Sequence, residues 1–119
     1  MNQTFRIYHN PRCSKSRETL KLLQENGVEP EVVLYLETPP TVAELKTLLE
    51  QLGLSAREIL RTGEDAYKEL NLKDPALTDE QLLQAMVNHP KLIQRPIVVK
   101  DSRAVLGRPP EAVLELIQA

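Results

Sequence analysis

The sequence predicts an α/β domain built on a mixed four-stranded sheet, with the element order βαβ, a helical insertion at about residues 41–89, then ββα. Three observations carry this. The first 36 residues hold two β-prone segments around one helical segment. Segments with helix-capping signals and apolar stripes fill the middle. From Ile97 the apolar spacing drops to that of a hairpin, followed by a last helix. A chain of 119 residues suits a single domain with a modest core, since typical domains run to about 100–150 residues. With 41% apolar and 27% charged residues, disorder is not expected.

Taken in order, Phe5 to Tyr8 is a short β-prone segment and His9-Asn10-Pro11-Arg12 a turn. From Ser14 the pattern is helical, with Leu20, Leu22 and Leu23 near one face and Gly27 as a stop. Glu31 to Leu36 contains Val-Val-Leu-Tyr-Leu, a second strand. Pro39-Pro40 reads as the opening of the next helix. Thr41 with Glu44 forms a capping box ahead of Leu45, Leu48, Leu49 and Leu52, and Gly53 ends that helix. Ser55 with Glu58, and Thr78 with Gln81, form two more boxes, the latter before Leu82, Leu83, Met86 and Val87. Ile97–Val99 and Ala104–Leu106 are the arms of a hairpin turning at Asp101-Ser102. A last helix opens at Pro110 and is expected to bury Val113, Leu114 and Ile117. This order is the one found in thioredoxin-like proteins.

Composition excludes several classes. Fifteen basic against 17 acidic residues leave a formal charge of −2, so a nucleic-acid partner, which needs a basic surface, is not expected. The four aromatics, Phe5, Tyr8, Tyr35 and Tyr67, form no spaced stacking platform. No apolar run approaches the roughly 18 residues of a membrane span. The opening run, Met1 to Arg6, lacks the apolar core of a secretory signal, so a cytoplasmic protein off the membrane is expected. One cysteine precludes an intramolecular disulfide. With only His9 and His89 beside it, no metal site of the Cys/His kind is expected.

Cys13 stands just ahead of a helix, where unpaired first-turn N–H groups and the helix dipole favour a thiolate. Arg12, Lys15 and Arg17 add positive charge, and His9 can add a hydrogen bond or a charge. A free cysteine is commonly a small core residue instead. The polar setting Asn10-Pro11-Arg12-Cys13-Ser14-Lys15-Ser16-Arg17 favours the reactive reading. The N–H groups of Ser14, Lys15, Ser16 and Arg17 can cradle an oxyanion over the sulfur. Ser16 makes the motif Cys-x-x-Ser; its hydroxyl either bonds the thiolate or caps a first-turn N–H. Position 19 is Thr19, so the Cys-x5-Arg loop of tyrosine phosphatases is absent. Arg61, Arg95 before Pro96, and Arg108 before Pro109 are candidate oxyanion ligands or simply solvated arginines. His89 before Pro90 reads as a helix C-terminal residue.

These residues make a pattern. Ile7-Tyr8-His9-Asn10-Pro11-x-Cys13-x-x-Ser16-Arg17-x-Thr19-Leu20, Tyr35-Leu36-Glu37-Thr38-Pro39-Pro40-Thr41, Leu60-Arg61, His89-Pro90, Arg95-Pro96-Ile97-Val98-Val99 and Arg108-Pro109 span nearly the whole chain. The chain resembles the glutaredoxin-coupled arsenate reductases of the arsenate-reductase/Spx superfamily. The resemblance implies a thiol-dependent reduction of arsenate to arsenite with Cys13 as nucleophile and His9 helping to lower its pKa. It implies that Arg61, Arg95 and Arg108 bind the oxyanion, and that Pro96 corresponds to the cis-proline facing the active-site loop. No bound cofactor is implied; glutathione is a consumed cosubstrate and glutaredoxin the partner that regenerates the thiol. Better-known members carry Gly where this chain has Ser14 and extend further at the C-terminus, which bears on the width of the anion pocket. Two other readings belong to the same fold. An Spx-like regulator would bind RNA polymerase, often with a Cys-x-x-Cys switch that Cys13 and Ser16 cannot form. A monothiol oxidoreductase would act on glutathione mixed disulfides.

Overall fold

The computed structural model describes residues 5–118; Met1–Thr4, part of the run read for a secretory signal, and Ala119 lie outside the described residues. The chain falls into two compact units, one running to Thr38 and resuming at Arg95, the other Pro39–Gln94.

The first unit holds the sheet. Strand β1 (Phe5–Tyr8) leads through a turn into helix α1 (Ser14–Glu25), then β2 (Glu31–Val33). After the second unit come β3 (Ile97–Lys100) and β4 (Arg103–Leu106). The sheet order is β2-β1-β3-β4, with β1 parallel to β2 and the other pairings antiparallel. This is the expected mixed four-stranded sheet. The register pairs Ile7 with Val98 and Phe5 with Lys100. Because side chains alternate across a strand, Phe5, Ile7 and Val98 share one face. That face packs with Leu23 of α1 and with Val113 and Leu116 of the C-terminal segment into one buried cluster. Lys100, also buried, donates from Nζ to the Leu116 carbonyl (2.9 Å) and lies 5.7 Å from the Phe5 ring centre.

Helix α1 stops where its sequence says it should. Asn26 caps it, and Gly27 takes φ +80°, a left-handed conformation that costs a glycine nothing. Two boundaries in this unit differ from the sequence reading. The second strand ends at Val33, because the Leu34 carbonyl accepts from Glu37 N and Thr38 N (both 2.9 Å), turning the chain out of the ladder. The last helix is a 3-10 turn, Pro110–Val113, followed by α5 (Leu114–Gln118), and its fully buried residues are Val113 and Leu116. The change of pitch shifts the apolar stripe by a residue, so Leu114 and Ile117 are only partly covered.

The second unit is helical. Helix α2 (Val42–Leu52) opens with the Thr41–Glu44 capping box and closes on Gly53 at φ +70°. Pro39 and Pro40 therefore precede the cap instead of occupying the first turn. The Ser55–Glu58 box is present but starts only a 3-10 turn, Arg57–Ile59. A short helix α3 (Asp65–Glu69), unforeseen in the sequence, precedes α4 (Asp79–Asn88), which carries the Thr78–Gln81 box. His89 caps α4, as expected. α2 contacts α4, and Leu60 bridges to Ile93. Among the described residues no helix is long and apolar enough to cross a membrane.

Leu23 is wholly buried where α1 meets the sheet. Leu23→Ala is expected to cost about 2–5 kcal/mol, read from the denaturant midpoint. A loss under about 1 kcal/mol would mean the helix is anchored elsewhere.

Candidate active site around Cys13

The turn that carries Cys13 is built on hydrogen bonds from Asn10 and Ser16. His9 N donates to the Val33 carbonyl (2.8 Å), prolonging the parallel ladder one residue past β1. Asn10, buried, accepts at Oδ1 from Arg12 N and at its carbonyl from Cys13 N (3.0 Å each), while its own N–H donates to Ser16 Oγ at 3.0 Å. Asn10 had been read only as a turn residue. What its side chain adds is the Oδ1 acceptor two residues ahead of the Arg12 amide, the turn that a short amide side chain makes well.

Cys13 is the N-cap of α1, half-buried, with extended backbone angles. Its thiol pKa lies below the ordinary value of 9.0. Burial pushes it up; the N–H of Ser16, the Arg95 guanidinium, by hydrogen bond and by charge, and the N–H of Lys15 outweigh that and pull it down. Ser16 thus addresses the sulfur with its backbone, while its hydroxyl is engaged with Asn10 and, at 2.7 Å, with His9 Nδ1.

His9 is buried, and its pKa is lowered by that burial and by the charge of Arg17. The hydrogen bond His9 makes goes to the Ser16 hydroxyl, not to the Cys13 sulfur, and His9 is not among the groups that lower the Cys13 pKa. Which of the two donates is set by the ring tautomer: Nδ1 accepts from the hydroxyl when the ring proton is on Nε2 and donates to it when the proton is on Nδ1. The Arg17 guanidinium donates to the Pro11 carbonyl (2.9 Å), bracing the loop from outside.

The open end of the β3–β4 hairpin meets this loop. The Arg95-Pro96 and Arg108-Pro109 bonds are both cis; the family resemblance implies only the first. Gly107 N donates to the Pro96 carbonyl (2.9 Å), and Arg108 Nη1 to the Arg95 carbonyl (3.3 Å). Arg95 Nε–H is buried and has no hydrogen-bond partner among the described residues. Thr19 of α1, fully buried, donates to the Lys15 carbonyl at 2.8 Å and lies 3.4 Å from the Gly107 carbonyl oxygen. A Cβ on Gly107 would stand 2.6 Å from Thr19 Oγ1 and 2.7 Å from Pro96 Cγ. Only a residue without a side chain lets the hairpin lie this close, a constraint that a lone Gly after a strand hints at but does not locate.

Cys13, the Lys15 and Ser16 N–H groups and Arg95 therefore converge, with Arg108 bonded to the Arg95 backbone. Ser14 is exposed at the first helical position. Arg61 belongs to the second unit, where its N–H donates to the Leu92 carbonyl (2.7 Å) and its Nε is 3.4 Å from Glu64 Oε2. Among the described residues no group of three His, Cys, Asp or Glu side chains could hold a metal ion. A half-buried thiol of lowered pKa beside backbone donors and an unspent guanidinium N–H suits nucleophilic attack on a tetrahedral oxyanion.

Residues 8–116 match the ArsC family. The chain belongs to that family. An arsenate reductase of Neisseria meningitidis serogroup A is 51% identical over 91% of this chain and 93% of its own. The protein YfgD of Escherichia coli K12, described as uncharacterized, is 64% identical over 98% of this chain and 99% of its own. The structure of an arsenate reductase from Vibrio cholerae superposes with a TM-score of 0.94 at 57% identity, covering 97% of this chain and 98% of that one. The ArsC domain is thioredoxin-like, and the mixed sheet described above is its core.

Two measurements test this geometry. Gly107→Ala is expected to lower stability by about 1–3 kcal/mol through overpacking and to raise the Cys13 pKa as Arg95 is displaced. A drop in melting temperature with an unmoved thiol pKa would separate Gly107 from the site. His9 binds a proton less readily folded than unfolded, so stability is complete above 6.5 and falls as pH drops through that value towards the lowered one. His9→Asn is expected to flatten that part of the stability curve; an unchanged curve would contradict a buried neutral imidazole.

Proposed function

We propose that this ArsC-family chain reduces arsenate to arsenite with Cys13 as nucleophile and glutathione with glutaredoxin as the source of electrons. The observation that carries the reading is the buried, unpartnered Arg95 Nε–H on the guanidinium that also bonds the Cys13 sulfur. A buried donor without an acceptor costs about 1–3 kcal/mol, and an oxyanion held over the sulfur relieves that cost. The N–H groups of Ser14, Lys15 and Ser16 line the first turn toward the same anion; that of Arg17, expected in the set from the sequence, donates instead to the Cys13 carbonyl at 3.0 Å as the first bond of the helix. Arg108 supplies further charge, and Arg61 joins the set on the family resemblance alone.

The Cys13 thiolate attacks arsenic, the S–As bond forms, and one oxygen leaves as water after taking a proton from solvent. Arg95 and the backbone donors stabilise the charge that gathers on the remaining oxygens. The glutathione sulfur then attacks the Cys13 sulfur, and its thiol proton passes to an arsenic oxygen. The S–As electron pair stays on arsenic, reducing As(V) to As(III), so arsenite leaves and a Cys13–glutathione disulfide remains. With one cysteine in the chain, resolution falls to a second glutathione or glutaredoxin thiol, which attacks the glutathione sulfur and returns the Cys13 thiolate. The reading carries with it a cytoplasmic setting, where thiols are kept reduced. No bound metal or organic cofactor enters any of these steps.

A coupled assay with arsenate, glutathione, glutaredoxin and an NADPH-regenerating system tests this. Wild type is expected to turn over, Cys13→Ser to be inactive while folded, and Arg95→Ala to lose about 100-fold in kcat/KM, as when one oxyanion donor is removed. Turnover by Cys13→Ser, or an Arg95→Ala variant as efficient as wild type, would overturn the assignment.

A further inference from the structure

The proposed reduction needs an outside thiol, which must dock within reach of Cys13. Strands β1 and β2 run parallel, so their carboxyl ends lie at one edge of the sheet. α1 begins just beyond the end of β1, which puts Cys13 at that same edge. The crevice outside the carboxyl ends of parallel strands is where α/β folds generally take ligands. Here it contains a groove of about 250 Å³ between the Cys13 turn and the turn after β2. Pro11, Leu34 and Leu36 supply an apolar lining, with Arg12 and Glu37 among the same walls. Both charged residues are exposed, and neither has an ion-pair partner among the described residues. His9, buried elsewhere, also lines the groove.

We propose that this groove is the docking site of the reducing thiol, and that Arg12 and Glu37 select a small zwitterionic peptide thiol of the glutathione class. The inference rests on Cys13 being a thiol-exchanging nucleophile. Three features support it. Four consecutive residues of the turn that leads into Cys13, His9 to Arg12, line the groove, so a ligand carboxylate held by Arg12 is anchored on the segment that carries the nucleophile. Glu37 on the facing turn offers an anion to the ligand's ammonium, and the pair of unlike charges disfavours a purely anionic or purely cationic thiol. At about 250 Å³ the space falls below the roughly 300–1,000 Å³ of drug-sized sites, so it accepts part of a short peptide.

The test uses disulfide exchange, which needs no arsenate. The Cys13 thiolate attacks one sulfur of oxidised glutathione, forming the mixed disulfide and releasing one glutathione thiolate. Its rate is compared with the rate on 2-hydroxyethyl disulfide, which is uncharged. Wild type is expected to favour oxidised glutathione. Glu37→Lys is expected to cut that preference about five- to tenfold, and Glu37→Gln to cut it less, as the loss and reversal of one exposed charge imply. The rate on the uncharged disulfide should stay unchanged in both, which also shows that the variants are folded. No preference in wild type, or a preference untouched by both variants, overturns the proposal. Failure to reduce arsenate with the exchange preference intact would overturn the reductase reading and leave the groove assignment standing.

Discussion

Everything at this site depends on a sulfur that is half-buried yet ionises more readily than an ordinary thiol. Burial alone would keep the thiol protonated. The pKa nevertheless falls, because several donors converge on the sulfur: two amides that α1 leaves unpaired at its first turn and a guanidinium brought in by the hairpin. The amides are local and arrive whenever the helix forms. The guanidinium is not local, so the chemistry is tied to how closely two distant segments of the first unit approach.

That approach is set by packing. The hairpin end is joined to the loop side through Thr19 and Gly107, with Pro96 in the same contact. The inner face of the sheet, with Ile7 against Val98 and Leu23 above them, holds α1 at a fixed height over the strands. Interiors are packed like organic crystals and do not absorb a displacement smoothly. A change in the core under α1, or an added carbon at Gly107, is therefore transmitted to the distance between Arg95 and the sulfur. The buried pair of His9 and Ser16 works from the other side, keeping the loop closed with a neutral ring instead of a charge.

Much of this was legible in the sequence where the signal is local. Thr41–Glu44 and Thr78–Gln81 announce their helices because a capping box needs only four neighbouring residues. Cys13 at the start of α1 was legible for the same reason. The errors fall where tertiary bonds override a local pattern. The run Glu31–Leu36 reads as a strand, but amides of Glu37 and Thr38 draw the Leu34 carbonyl out of the ladder. The segment from Pro110 reads as one helix, yet opens as a 3-10 turn and so buries Leu116 in place of Leu114. At the site, the hydroxyl of Ser16 could have served either the thiolate or an amide, and only the fold shows it between Asn10 and His9. Arg61 illustrates the limit from the other side: its nearest charged partner, Glu64, is three residues away and visible in sequence, whereas its role is not.

The most direct measurement of the central claim is the ultraviolet absorbance of the Cys13 thiolate, followed through a pH titration of the folded protein, in which this is the single cysteine. The expected result is a midpoint below 9.0 that moves upward when Arg95 is replaced by Ala. A midpoint at or above that ordinary value, or one indifferent to Arg95, would contradict a thiolate held by the first turn of α1 and the hairpin guanidinium.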